Sequence, residues 1–160
     1  MDHSFLVIVP PVGFDGGNIW TFKNAPKTFI CITTNGLVRK DGALVMGRGV
    51  AKQAKDLFPH IDYEIGTVVT LHGNHVYDLS EFYAHLAGLI TFPVKHNWWE
   101  KADKSLIQES TDALRELALR NPEYTYVLPR PGCGNGGLRW EQVKPIVEAL
   151  PDNVLVIDRE

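Results

Sequence analysis

The stretch Arg130-Pro-Gly-Cys-Gly-Asn-Gly-Gly-Leu-Arg-Trp140 places four of the chain's fourteen glycines within six residues, 132–137. A second glycine-bearing stretch runs Thr33-Thr-Asn-Gly-Leu-Val-Arg-Lys-Asp-Gly-Ala-Leu-Val-Met-Gly-Arg-Gly-Val50. Each leaves an apolar run of strand character and enters a helical pattern. Glycine has no Cβ to hold a ligand off the main chain, and successive free N–H groups at a helix N-terminus attract an anion. Two such loops facing each other could hold a diphosphate from both sides; the alternative is a pair of tight turns with no ligand. Neither loop is a known nucleotide fingerprint. Gly47-Arg-Gly49 lacks a third glycine three residues on, and no Gly-Lys-Ser/Thr ending marks a phosphate-loop ATPase.

Other reactive residue types are sparse. Cys133 has no readable His and Asp partners that would make it a nucleophile. His72 and His75 lack a third ligand at useful spacing, so they read as hairpin-tip residues and no metal is expected. Trp98-Trp99 is either an exposed patch for the nucleic-acid or protein portion of a substrate, or packs beneath the neighbouring helix.

The elements that must position the two loops follow from patterning. Phe5–Val9 is a short apolar run stopped by Pro10-Pro11, and Thr28–Thr33 is β-branched and aromatic, so both read as strands. Val50, Ala51, Ala54, Leu57 and Phe58 recur at helical spacing until Pro59. Gly66–Leu71 and Val76–Leu79 flank His72-Gly-Asn-His75, which predicts a hairpin. Leu86–Phe92 is the next apolar run. Leu106, Ile107, Ala113, Leu114, Leu117 and Ala118 line one face of a long helix ending near Asn121-Pro122. Tyr124–Leu128 is a strand leading into the second glycine loop, a helix follows Trp140, and Asn153–Ile157 is a last strand. Pro145 removes one backbone bond from that helix and leaves its start free to shift by a few residues.

Strands alternating with helices predict an α/β fold, a three-layer α/β/α sandwich with a mixed, largely parallel central sheet. Ligands of such sheets bind beyond the carboxyl ends of strands, which is where both glycine loops lie. The 160 residues, 44% hydrophobic and 22% charged, suit a single domain over 1–160. A formal charge of −3 argues against strong general binding to nucleic acid or an anionic membrane, while leaving room for a local basic pocket. Two cysteines are too few for a secreted disulfide framework. The N-terminus lacks the basic region of a secretory signal, and no apolar stretch approaches the ~18 residues of a membrane span. A soluble, cytoplasmic protein is expected.

Five motifs in this order, Gly16-Gly-Asn-Ile-Trp20, Thr34-Asn-Gly36, Val45-Met-Gly-Arg-Gly-Val-Ala51, Phe92-Pro-Val-Lys95 and Pro131-Gly-Cys-Gly-Asn-Gly-Gly-Leu-Arg-Trp140, resemble those of macro domains. More narrowly, the chain is similar to the bacterial and phage proteins related to terminal ADP-ribose glycohydrolases and DNA ADP-ribosyl glycohydrolase antitoxins. The resemblance covers roughly residues 5 to 158. It implies a pocket for ADP-ribose or an ADP-ribosylated macromolecule, with no cofactor and no membrane partner.

The resemblance also distributes the ligand among residues. Gly17-Asn18-Ile19 stands where macro domains carry Gly-Asp-Ile or Gly-Asp-Leu, and Asn18 keeps an acceptor for the adenine amino group; its alternative is a turn Asn. Gly47, Arg48, Gly49 and Val50 would form one wall of the diphosphate site and Gly134, Asn135, Gly136 and Gly137 the other, with Pro131, Gly132, Cys133 and Leu138 completing the second loop. Arg48 would either add charge there or point to water. Asn35 matches an asparagine that touches a hydroxyl of the distal ribose, or else simply makes an Asn-Gly turn. Lys95 matches the lysine that acts at the anomeric carbon, which requires a neutral amine and hence a lowered pKa; its alternative is an ordinary solvated lysine. Gly136 stands where the vertebrate glycohydrolases place an Asp, whereas the antitoxin branch also has Gly-Gly-Leu. The function implied is ADP-ribose binding with hydrolytic removal of ADP-ribose from DNA or protein, with Lys95 and Asn35 as the catalytic pair. The alternatives are a non-catalytic ADP-ribose reader and an ADP-ribose 1″-phosphate phosphatase.

Overall fold

The computed structural model describes the backbone of Val7–Ile8 and the whole of residues 19–158. Among these residues the strands are β1 (Val7–Ile8), β2 (Thr28–Thr34), β3 (Tyr77–Asp78), β4 (Leu89–Pro93), β5 (Thr125–Pro129) and β6 (Val154–Ile157). The helices are α1 (Gly49–Leu57), α2 (Ile61–His72), α3 (Lys104–Arg120) and α4 (Trp140–Val147). One sheet takes the order β1-β6-β5-β2-β4-β3. All neighbours are parallel except β3 and β4, where Tyr77 stands opposite Thr91. The predicted α/β sandwich with a mixed, largely parallel sheet is the architecture observed.

Side-chain alternation along the central strands explains the three layers, because successive residues of a strand point to opposite faces. Ile30 and Ile32 of β2 join a core with Leu44, Met46, Val50, Ala54, Ile61 and Ile65, which places α1 and α2 on that face. Cys31, between them, joins Ile90, Phe92, Ile107, Leu114, Val143 and Val147, which places α3 and α4 on the other. Strands covered on both faces carry near-continuous apolar runs, and every residue of β4 is buried. The helix borders follow local chemistry. Asp103 caps α3 by accepting from the Ser105 N–H at 2.9 Å, and Asn121 with Pro122 ends it. α4 starts at Trp140 and holds Pro145 within it, so the proline does not displace the start. No helix among the described residues is long and apolar enough to cross a membrane.

The hairpin expected from Gly66–Leu71 and Val76–Leu79 does not form. Residues 61–72 are one helix, and β3 pairs instead with β4. The β-branched run Thr67-Val-Val-Thr70 carries the strand signal, but Ile61, Ile65 and Val68 lie at i, i+4 and i+7 and are all buried. Burial of one helical face outweighs a propensity scale that spans only ~1 kcal/mol.

α2 crosses the first glycine loop at Gly66. A Cβ there would overlap the Gly42 carbonyl oxygen and stand 2.9 Å from the Leu44 nitrogen, both main-chain atoms that cannot rotate away. Helix propensity alone makes Gly→Ala stabilising by ~1 kcal/mol; overpacking against backbone costs ~3 kcal/mol. Gly66→Ala is therefore expected to lower stability by about 2 kcal/mol and Tm by about 4–8 °C, checked by thermal denaturation. A Tm that rises would show that the close approach is not a constraint.

Candidate functional site

Three adjacent parallel strands, β5, β2 and β4, end on one rim at Pro129, Thr34 and Pro93. The segments leaving those ends are joined to one another by backbone bonds. The Thr34 carbonyl accepts from the Val94 N–H at 2.9 Å, and the Gly36 N–H donates to the His96 carbonyl at 3.2 Å. The Ala102 N–H donates to the Gly136 carbonyl at 2.8 Å, tying the segment after β4 to the second glycine loop.

The first loop is folded around Asn35. Its Nδ2 donates to the Val45 carbonyl at 2.8 Å and its Oδ1 accepts from the Leu37 N–H at 2.9 Å, so one side chain joins both limbs of the loop. Leu44 is anchored below by donating to the Asp62 carbonyl of α2 at 2.9 Å. α1 then begins at Gly49, whose φ of 58° is costly for other residues. Arg48, its N-cap, is extended and makes no side-chain cap, and the first intrahelical bond runs from the Lys52 N–H to the Arg48 carbonyl. The N–H groups of Gly49, Val50 and Ala51 thus have no intrahelical acceptor, and all three residues line a cleft.

The second loop forms the facing wall. Gly132 has a φ of 78°, and a Cβ there would stand 2.7 Å from Ile107 Cδ1 and 3.0 Å from Ala102 Cβ. Both conformation and space require glycine. The chain makes a short 3₁₀ turn at Gly134–Gly136 and closes by a bond from the Leu138 N–H to the Gly132 carbonyl at 3.0 Å. At the base of this loop the Arg130 guanidinium lies 4.3 Å from the Trp140 ring centre, a stacked cation–π contact.

Between the walls is a cleft of about 470 Å³. Arg39, Arg48, Lys95 and Arg130 line it, and among the described residues no Asp or Glu does. Lys95 Nζ donates to the Trp98 carbonyl at 3.2 Å and the Asn135 carbonyl at 3.1 Å, spanning from the segment after β4 to the second glycine loop. Loss of hydration, and secondarily the Arg48 charge, hold its pKa below the usual lysine value. No carboxylate among the described cleft residues opposes these effects.

Of the residues singled out in the sequence, Asn35, Gly47, Arg48, Gly49, Val50, Lys95, Gly132, Cys133, Asn135 and Gly136 come together around this cleft. Ile19 is fully buried in the core and Leu138 and Pro131 are buried, and none of the three is among the residues that line the cleft. Gly134 and Gly137 are exposed and are not among the residues that line the cleft. Asn18 lies outside the described residues. His72 packs on Phe82 and His75 on Tyr77, and neither lines this cleft. Sequence reasoning missed Arg39, Arg130, Val45, Leu37 and Trp98 as cleft residues. Arg130 was legible in principle, as the residue that joins a strand end to a glycine loop.

No family model matches the chain. A curated relative, a DNA ADP-ribosyl glycohydrolase from Thermus aquaticus, is 34% identical over 116 residues, which span 66% of this chain and 31% of the relative. The chain thus matches less than a third of that protein's length. Among solved structures, the macrodomain of Thermus aquaticus DarG superposes with a TM-score of 0.67 at 29% identity, over 98% of both chains. The macrodomain of Mycobacterium tuberculosis DarG gives 0.67 at 24% identity, over 95% of this chain and 97% of that one. The Thermosipho africanus DarTG protein, solved in complex with ADP-ribose, gives 0.60 at 22% identity, over 83% of this chain and 38% of that one. With its strand order and its two facing glycine loops, the chain is a macro domain. Within that fold it is of the DarG type.

The two causes of the Lys95 shift are separable. Arg48→Ala is expected to raise the Lys95 pKa while leaving it below the ordinary lysine value, because burial is the larger cause. An NMR titration of the Lys95 Cε resonance checks this. A full return to the ordinary value would assign the shift to Arg48 alone.

Proposed function

We propose that residues 1–160 act as one macro domain that binds ADP-ribose in this cleft and hydrolyses the bond joining it to a modified macromolecule. The observation that carries this is the cleft itself, walled by two glycine loops and, among the described residues, lined by four cations and no carboxylate, with an amine of lowered pKa suspended across it. Unbonded N–H groups of Gly49, Val50 and Ala51 face the diphosphate from one side, and the backbone around Asn135 and Gly136 faces it from the other. Arg48 and Arg130 add charge, which acts strongly where water is excluded. Asn18 takes the adenine amino group. The relative active on ADP-ribosylated DNA and the DarTG protein seen with ADP-ribose support this reading.

Asn35 suits the distal ribose. After its two loop bonds it retains one N–H on Nδ2 and one lone pair on Oδ1, a donor and an acceptor held rigidly for a diol. Lys95 carries the chemistry. Its neutral Nζ donates an electron pair to the anomeric carbon, and the bond to the leaving atom breaks with its pair. The leaving atom takes a proton, and water then displaces the lysine to regenerate the amine. The lowered pKa raises the share of neutral amine near neutral pH, so the rate is expected to rise with pH up to the Lys95 pKa and level off above it.

One observation favours a second reading. The described residues around the cleft include no carboxylate to activate water, as a purely binding reader of ADP-ribose would also show. One pair of measurements separates the two. Calorimetry should give a micromolar Kd for free ADP-ribose, and incubation with ADP-ribosylated DNA or protein should release the label. Lys95→Ala should lower release by at least 100-fold, a general estimate for loss of a nucleophile or proton-transfer group, while ADP-ribose binding persists. Binding without release in the unaltered protein would establish the reader, and no binding at millimolar ADP-ribose would refute both.

A further inference from the structure

We infer that Trp98 and Trp99 form a stacking platform for the nucleobase that carries the ADP-ribosyl group. This rests on the proposed function and adds to it the class of macromolecule. Trp98 is 48% exposed and Trp99 62% exposed, while Trp20 is buried and Trp140 is covered by Arg130. Exposing two adjacent indoles to water is unfavourable unless something binds them. Their ring centres are 5.8 Å apart and their planes at 89°, so one ring edge covers part of the other and broad faces remain free.

The pair is exposed but held in place. The Trp98 carbonyl accepts from Lys95 Nζ, and the Glu100 N–H donates to the Asn97 carbonyl at 3.3 Å. Beyond the tip, Ala102 is fixed to Gly136, the Asp103 N–H donates to the Val94 carbonyl at 2.9 Å, and the Asp103 carboxylate bonds His96 at 2.9 Å. Holding the backbone beneath the rings in advance lowers the entropy cost of binding a flat partner.

Position and charge then choose the occupant. Trp98 lines the cleft together with Lys95, to which the proposed function assigns the anomeric carbon, and Trp99 stands edge-on to Trp98 in contact with solvent, so the pair lies next to the group attached to that carbon. Lys101 runs along the adjacent rim, its side chain within contact distance of a Cβ built on Gly137. Glu100, the nearest acid in sequence, is occupied by a bond from Asn97 Nδ2 at 2.8 Å. Flat faces beside cations suit a base and its phosphates. Base stacking on aromatic rings is tolerant of sequence and strong enough to matter for one base. The chain's charge of −3 keeps unmodified nucleic acid from binding generally, so the platform acts on a base brought by its ADP-ribose.

The test is binding in the Lys95→Arg background, where a permanently charged side chain cannot attack and the probes survive, while a donor to the Trp98 carbonyl is kept. The probes are free ADP-ribose, a short single-stranded oligonucleotide with one ADP-ribosylated base, and an ADP-ribosylated peptide of similar size. The modified oligonucleotide should bind about tenfold more tightly than free ADP-ribose, and the peptide no more tightly than free ADP-ribose. Trp99→Ala should remove most of that excess, and Trp99→Phe should restore part of it. Equal affinity for oligonucleotide and free ADP-ribose would overturn the platform while leaving the ADP-ribose site intact. A preference for the peptide that Trp99→Ala removes would assign the indoles to protein and overturn it too. Binding of none of the probes would refute the reading of the cleft and the platform together.

Discussion

Parallel pairing of β2 with β4 on one side and β5 on the other is the constraint from which the site follows. Thr34 is in register with Pro93, and Ile30 with both Leu89 and Val127, so three chain segments leave the sheet side by side in one direction. β2 must then be apolar on both faces, because helices cover each. Its alternation of Ile30 and Ile32 against Cys31 meets that need. The Thr34 carbonyl, at the last position of the strand, extends the pairing one step beyond the sheet by accepting from Val94. The cleft is thus an extension of sheet hydrogen bonding into the loops, which explains how glycine-rich segments remain ordered there.

Electrostatics in the cleft is set by what accepts from Lys95. A carboxylate partner would stabilise the ammonium and raise its pKa. The two carbonyls fix the position of the nitrogen with weaker preference for its charged form, and burial together with Arg48 then prevails. Arg39, Arg48 and Arg130 line the same cleft, and a guanidinium is a permanent cation. One cleft therefore holds permanent cations for an anion beside an amine that can lose its proton. The overall charge of −3 gives no hint of this, since no described Asp or Glu lines the cleft.

Much of the fold was legible because its signals were local. The run Thr28–Thr33, the helical spacing from Leu106 to Ala118 and the two glycine loops each identified an element, and the resemblance carried by those loops identified the macro domain. What was not legible depended on tertiary placement. Arg39 and Arg130 are ninety-one positions apart in the sequence, and only the β5-β2 pairing brings their loops to one rim. Ile19 and Leu138 belong to motifs that the resemblance assigns to the ligand, yet both are buried in the core. The strand signal of Thr67–Thr70 was real, and it lost to the buried stripe of Ile61, Ile65 and Val68.

That misread element also matters for the chemistry. As a helix, α2 ends at His72 and delivers Asn74 to the rim, where Asn74 Nδ2 donates to the Lys95 carbonyl at 3.1 Å. A Cβ on Gly36 would stand 2.6 Å from that same Nδ2, so the Asn-Gly turn after β2 has glycine because Asn74 lies against it. The Gly36 N–H in turn bonds His96, the residue after Lys95. A hairpin over residues 66–79 would have had no reason to place Asn74 here. The asparagine that faces the cleft, the glycine beside it and the lysine across from it are therefore held as one unit by the end of a helix that local propensity did not reveal.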